Sequence, residues 1–148
     1  MKEKTAVFIG HSDCCGVDKE QLEMEIIKLI QRGVRCFLSG GMGGFDRLCA
    51  RMIYNLKKRY PDTRNVIVIP YPNFKVFEPV LFDESEYPEC LALVPYRAKT
   101  IRRNQFMVDN AAYAVCYVNY GFGGAAKTLE YAIRHGCEII KIKNRQQH

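Results

Sequence analysis

Residues 113–132, YAVCYVNYGFGGAAKTLEYA, constrain the fold more than any other part of the chain. Tyr113 to Val118 is an apolar run rich in β-branched and aromatic residues, of a length suited to a buried strand. Asn119 and Tyr120 lead out of it into Gly121, Gly123 and Gly124, after which Ala125, Leu129, Ala132 and Ile133 share one face of a helix. Strand, glycine loop, helix turns unpaired backbone N–H groups and the positive helix end toward an anion. Gly123 and Gly124 carry no Cβ to hold a phosphate off the backbone. The stretch predicts a site for a phosphorylated small molecule.

The rest of the chain supplies the sheet on which such a loop sits. Thr5 to Ile9 is a strand that stops at Gly10-His11; Asp18 N-caps a helix with Leu22, Ile26, Leu29 and Ile30 on one face, ending at Gly33. Val34 to Leu38 is a second strand and runs into Ser39-Gly40-Gly41-Met42-Gly43-Gly44-Phe45-Asp46, a second glycine loop. A helix over 45–59 follows, with Leu48, Met52 and Leu56 as its stripe, then a third strand from Asn65 to Ile69. Residues 99–111 read as a helix, and the last strand covers 138–142 after a stop at Gly136. Five apolar strands alternating with helices predict a three-layer α/β, Rossmann-like fold with a mostly parallel five-stranded sheet, in one domain spanning 1–148. Every βα loop then emerges at the carboxyl edge of the sheet, where seven of the eleven glycines fall in the loops 40–44 and 121–124. Residues 70–97 interrupt the alternation with five of the six prolines and the acidic run Asp83-Glu84-Ser85-Glu86. A lid and a plain surface crossover are both open readings of that insert.

The net charge of +6 favours anionic partners but is spread along the chain, with Lys141, Lys143 and Arg145 read as a solvated end. The seven cysteines form no CxxC, and no histidine stands at ligand spacing from them, so no metal site is expected and the thiols read as free and mostly buried. No apolar run approaches the ~20 residues needed to cross a bilayer. A cytoplasmic protein without a signal peptide is the expectation, with no membrane partner; a homo-oligomer is compatible with the chain.

The individual motifs are weak when taken singly. Gly121-Phe122-Gly123-Gly124-Ala125-Ala126 fits G-x-G-x-x-[GA], but it lies in the last βα unit and no acidic residue follows at the required distance, so a full NAD fingerprint is rejected. A Walker A loop fails because Ala126 stands where glycine is needed before Lys127-Thr128. Lys127 either neutralises a phosphate or pairs with Glu130 on the outer helix face. Asp46 either complements the helix dipole or accepts hydrogen bonds from a ribose or base; Arg103 or Arg102 suits phosphate recognition, beside Asn104; and His11 either touches ligand or closes a turn.

Taken together, FIGH near the start, SGGMGGFD, YPECLALVPYRAKTIRRNQFMVD and VNYGFGGAAKTLEYA resemble the YpsA-like family of unknown function, in the SLOG superfamily with the DNA-processing protein DprA and the "Lonely guy" enzymes. The resemblance runs in matching order over nearly the whole chain. It implies a Rossmann-like nucleotide-binding fold whose pocket includes Gly10, His11, Ser39, Gly40, Gly41, Asp46, Arg103, Asn104, Gly123, Gly124 and Thr128. The superfamily's phosphoribohydrolases carry a PGGxGTxxE loop. Gly123-Gly124 and Thr128-Leu129-Glu130 echo it without the proline and with one extra residue, a spacing that favours Glu130 as a surface carboxylate over a general acid or base.

These residues lead to binding of a nucleotide or nucleotide-derived small molecule through the two glycine loops, as a sensor or carrier that requires no cofactor. The alternative is an N-glycoside hydrolase or transferase acting on a nucleotide, with Glu130 as its catalytic candidate. Single-stranded DNA binding of the DprA kind ranks third, for want of a recognisable nucleic-acid module.

Overall fold

The computed structural model describes residues 2–145. Its regular elements are β1 (Thr5–Gly10), α1 (Lys19–Gln31), β2 (Cys36–Ser39), α2 (Gly44–Leu56), β3 (Arg64–Val68), β4 (Glu84–Glu86), α3 (Lys99–Asp109), β5 (Tyr113–Tyr117), α4 (Gly123–Arg134) and β6 (Glu138–Lys141). The strands form one parallel sheet in the order β4-β3-β2-β1-β5-β6. Along β1, Ala6 and Phe8 point into the core beneath α1 and α2, while Val7 and Ile9 point into the core beneath α3 and α4. All four are at most 4% exposed, which is why the strand reads as a continuous apolar run instead of an alternating one. On the α2 side Phe8 stacks on Phe37 at 5.8 Å and meets Phe45 edge-on at 6.4 Å, and Phe45 stacks on Tyr117 at 5.8 Å. Burial of each such ring is worth roughly 1.5–3 kcal/mol.

The sheet has six strands, one more than the sequence predicts. The addition, β4, is Glu84-Ser85-Glu86 inside the 70–97 insert, wholly exposed and without any hydrophobic pattern. Its register comes from a neighbour. Buried Asn65 donates through Nδ2 to the carbonyls of Ala50 and Leu81, Asn65 N donates to the Asp83 carboxylate at 2.7 Å, and Asp83 N returns a bond to Asn65 O. Ion pairs Lys57–Asp83 and Arg64–Glu84 add a charged rim to this edge, a composition that discourages further strand pairing.

Local signals set α1 as expected: the Asp18 carboxylate accepts from Gln21 N at 3.1 Å, Leu22, Ile26, Leu29 and Ile30 are buried, and Gly33 closes the helix at φ +107°. Two stripes are rotated from the expected ones. In α2 the buried residues are Phe45, Cys49, Ala50, Ile53 and Leu56, with Leu48 and Met52 on the flank. In α4 Ala126, Thr128 and Ala132 are buried, whereas Ile133 is 56% exposed. In α4 small residues face the sheet, so the largest side chains do not mark the buried face; in α2 that face carries Phe45, Ile53 and Leu56 and is offset from Leu48 and Met52. Three of the seven free cysteines, Cys49, Cys116 and Cys137, are buried; Cys15 and Cys90 are exposed.

The segment read as a solvated end is held by its backbone. Lys141 lies in β6, Asp18 N donates to Lys143 O, Arg145 N donates to Gly16 O at 2.7 Å, and Val17 bridges to Asn144. Residues 146–148 lie outside the described residues. Among the described residues, no helix is long and apolar enough to cross a membrane.

Candidate functional site

From β1 the sheet grows one way through β2, β3 and β4, then restarts on the other side with β5 and β6. The loops leaving β1 and β5 therefore diverge and open a crevice at their carboxyl ends, the place where open α/β sheets take ligands. A cavity of about 310 Å³ occupies it. Of the residues singled out in the sequence, Gly10, His11, Gly40, Asp46, Arg103, Asn104, Gly123, Gly124 and Thr128 line this cavity. Four do not. Ser39 and Gly41 are buried behind it, where Ser39 Oγ accepts from Gly41 N at 3.2 Å and Gly41 turns at φ +65°. Lys127 and Glu130 are exposed on α4 away from the cavity, and among the described residues they form no ion pair with each other.

The two glycine loops differ in what their N–H groups do. In 40–44 most of these donors are already used: Gly41 N bonds Ser39 Oγ, Met42 N bonds Asp46 Oδ2 at 3.2 Å and Gly44 N bonds Ser12 O, and just beyond the loop Phe45 N bonds His11 O. The glycines here serve packing. A Cβ on Gly10 would stand 2.2 Å from the Phe45 ring, and one on Gly44 would stand 2.2 Å from Ser12 O. At the β5–α4 loop a Cβ on Gly121, Gly123 or Gly124 would meet nothing within 4 Å. Phe122 is the N-cap of α4 and offers no side-chain cap, so the first-turn N–H groups face open space. Gly123 is required for its φ of +90°. Of the two loops, 121–124 is the more open to an anion.

Arg103, on α3, is 1% exposed. Its Nη1 donates to Gly40 O at 3.1 Å and Val68 O at 2.8 Å, and Nη2 reaches Met42 Sδ. A Cβ on Gly40 would stand 2.9 Å from the guanidinium carbon, so Gly40 is what admits the arginine. Loss of hydration pulls Arg103 down to about 10, with Asp46 and Tyr71 opposing. Asp46 sits across the cavity floor, partly open to it. Loss of hydration pushes its carboxyl up to about 6, against the Met42 N–H, Arg103 and the Gly41 N–H. Arg103 Nε donates to Asn104 Oδ1 at 2.8 Å, Asn104 Nδ2 donates to Thr128 Oγ1 at 3.2 Å, and Thr128 Oγ1 donates to Gly124 O at 2.8 Å. A relay of three hydrogen bonds thus joins the buried cation to the open glycine loop.

His11 ties β1 to the same loop. Its Nε2 accepts from Asn119 N at 2.9 Å, which leaves the ring proton on Nδ1, and burial holds it below its usual basicity. Tyr120 stacks on the His11 ring at 3.6 Å and 8°, and Phe122 stacks on Tyr120 at 4.4 Å and 29°. Tyr120 and Phe122 line the cavity together with Ser12, Met42 and Thr100. These five are not among the residues that the sequence marks for the site; the interleaving of Tyr120 and Phe122 with Gly121 and Gly123 is the signal for the two aromatics.

Comparison with known proteins places this geometry. The chain is 25% identical over 104 residues to the UPF0398 protein YpsA of Bacillus subtilis (strain 168) and 24% identical over 104 residues to a UPF0398 protein of Bacillus velezensis. Each alignment covers 63% of this chain and 57% of the relative, so the chain spans little more than half the length of the curated relatives it matches. A solved structure of DNA processing protein A from Helicobacter pylori, described for its unique single-stranded DNA binding mode, superposes with a TM-score of 0.65 at 13% identity. It covers 95% of this chain and 65% of that one, a likeness of fold. The family model YpsA, described as the YspA SLOG family, matches residues 3–78, which hold β1, the 40–44 glycine loop and Asp46. With half of its length so matched, the chain belongs to the YspA SLOG family.

Proposed function

We propose that the cavity binds a nucleotide or nucleotide-derived small molecule and that the protein acts as its sensor or carrier. The observation that carries this reading is the pairing of a buried arginine with an uncapped helix N-terminus across one cavity, joined by the Asn104–Thr128 relay. A phosphate there meets backbone N–H donors at α4 and the positive field of Arg103, and charge-assisted bonds of this kind contribute about 1.5–3 kcal/mol each. The exposed position of Glu130 outside the cavity supports a binder over a hydrolase that depends on that residue.

The test is calorimetric titration with a panel of nucleoside mono-, di- and triphosphates. Saturable binding of at least one, lost in Gly124→Val, is the expected result; no binding by any at millimolar concentration refutes the reading. A second reading, single-stranded nucleic acid, draws on the exposed rings Tyr96 and Phe122, on the exposed cations Arg97 and Arg102, and on the DNA-binding relative in fold. Oligonucleotide affinity that survives high salt would favour it, since contacts made to phosphates alone weaken steeply as salt rises.

A further inference from the structure

The outer rungs of the ring ladder at the cavity mouth, Tyr120 and Phe122, are exposed and lie outside the two hydrophobic cores. His11 at its base is buried, Tyr120 is 45% exposed and Phe122 is 71% exposed, so the apolar surface increases outward. The lower rung is fixed, because Asn119 N–H locks the His11 imidazole and Tyr120 lies flat on it at 8°. Phe122 has Tyr120 on one face, and the flanking glycines leave the loop backbone clear for at least 4 Å at each Cβ position. A lone exposed ring needs no explanation. A nearly parallel stack of three rings, anchored at one end and open at the other, presents a planar surface of the kind on which a flat heterocycle stacks. Phe122 also immediately precedes Gly123 and Gly124, so the exposed ring and the first-turn N–H groups of α4 are carried by adjacent residues of one loop.

We infer that Phe122, backed by Tyr120 and His11, is a stacking platform for the base of a nucleoside monophosphate whose phosphate lies on the N-terminus of α4. The inference rests on the nucleotide reading above and adds to it the ligand's orientation and its chemical class. Stacking reads a π face and few hydrogen-bonding edges, so the platform ranks ligands by ring size: adenosine and guanosine monophosphates bind more tightly than cytidine and uridine monophosphates.

The chain contains no tryptophan, so Phe122→Trp places a single fluorescent reporter on the platform. AMP is expected to quench that emission saturably, ribose 5-phosphate to leave it unchanged, and Phe122→Leu, which keeps apolar bulk without a ring, to lose about tenfold in AMP affinity relative to wild type. Circular dichroism of each variant checks the fold, which substitution at this exposed position is expected to leave intact. If wild-type protein binds no AMP at millimolar concentration, the nucleotide reading falls and the platform with it. If AMP binds but Phe122→Leu retains full affinity and ribose 5-phosphate binds as well as AMP, the platform alone is overturned. Quenching by an oligodeoxyadenylate but not by AMP overturns the monophosphate assignment and hands the stack to a nucleic-acid strand.

Discussion

Asn104 on α3 donates to the Thr128 hydroxyl on α4 at 3.2 Å, and that hydroxyl in turn donates to Gly124 O. The pair couples the helix that carries Arg103 to the loop that carries the free N–H groups, so the position of the cradle depends on a contact 24 residues apart in sequence. Asn104→Ala and Thr128→Val are each expected to cost about 1–2 kcal/mol in urea unfolding, because each leaves a partner unpaired in a poorly hydrated place. The double variant should cost less than the two combined, and a double-mutant cycle reads that coupling. Strict additivity would mean that the relay is not a unit.

The glycines separate structure from binding. Gly40→Ala drives a Cβ to 2.9 Å from the Arg103 guanidinium and is expected to destabilise the protein by about 1–3 kcal/mol. Gly124→Val meets nothing within 4 Å, and its stability should stay within about 0.5 kcal/mol of wild type. AMP affinity should nevertheless fall about tenfold or more in Gly124→Val. Thermal unfolding and calorimetry on the same preparations check both halves; an unstable Gly124→Val would show that the loop is held by packing.

Asp46 gives a pH signature with a definite sign. Its carboxyl is raised from 3.8 to about 6 by lost hydration, so the folded state favours the protonated form. Its contribution is complete below roughly pH 4 and is lost as pH rises through about 6, with each intervening pH unit worth about 1.4 kcal/mol. Asp46→Asn should therefore stabilise the protein at pH 8 by about 1–3 kcal/mol and flatten this part of the stability profile. His11 acts in the opposite sense. Burial lowers its basicity, so its contribution holds above its ordinary 6.5 and is lost as pH falls, when protonation of Nε2 removes the acceptor for Asn119 N. Urea unfolding from pH 4 to 8, on wild type and Asp46→Asn, checks the sign.

Glu130 lies on the exposed flank of α4, outside the cavity. Glu130→Gln is expected to leave AMP affinity unchanged, and wild-type protein incubated with nucleoside monophosphates should release little free base by chromatography. Rapid release abolished by Glu130→Gln would make the protein an N-glycoside hydrolase and reverse the ranking.

What the sequence discloses follows from where each signal originates. Asp18 and the Leu22–Ile26–Leu29 stripe are local: a cap and a 3.6-residue period need no distant partner, and both stand where expected. Strands β1 and β5 are legible because burial on both faces leaves an uninterrupted apolar run. Strand β4 is not, since Glu-Ser-Glu has no strand pattern and its pairing is imposed by Asn65 and Asp83. At the site, composition points to both glycine loops, but it does not tell a loop whose N–H groups are occupied from one whose groups are free. That difference depends on Ser12 and His11 arriving from the loop after β1, in addition to the local acceptors Ser39 and Asp46. Tyr120 and Phe122 are not legible for the same reason: a stack exists only once His11 lies beneath it.

The central place of β1 has a consequence for how the chain is made. Its residues pair with β2 on one side and, through Ala6↔Tyr113 to Gly10↔Tyr117, with a strand synthesised more than a hundred residues later. At ~5–20 residues per second, an emerging chain carries Ala-Val-Phe-Ile as an unpaired apolar edge for several seconds before its partner leaves the ribosome. Closure of the crevice and completion of the sheet are then one late event, and the nascent chain's need for a holding chaperone should be concentrated in that interval.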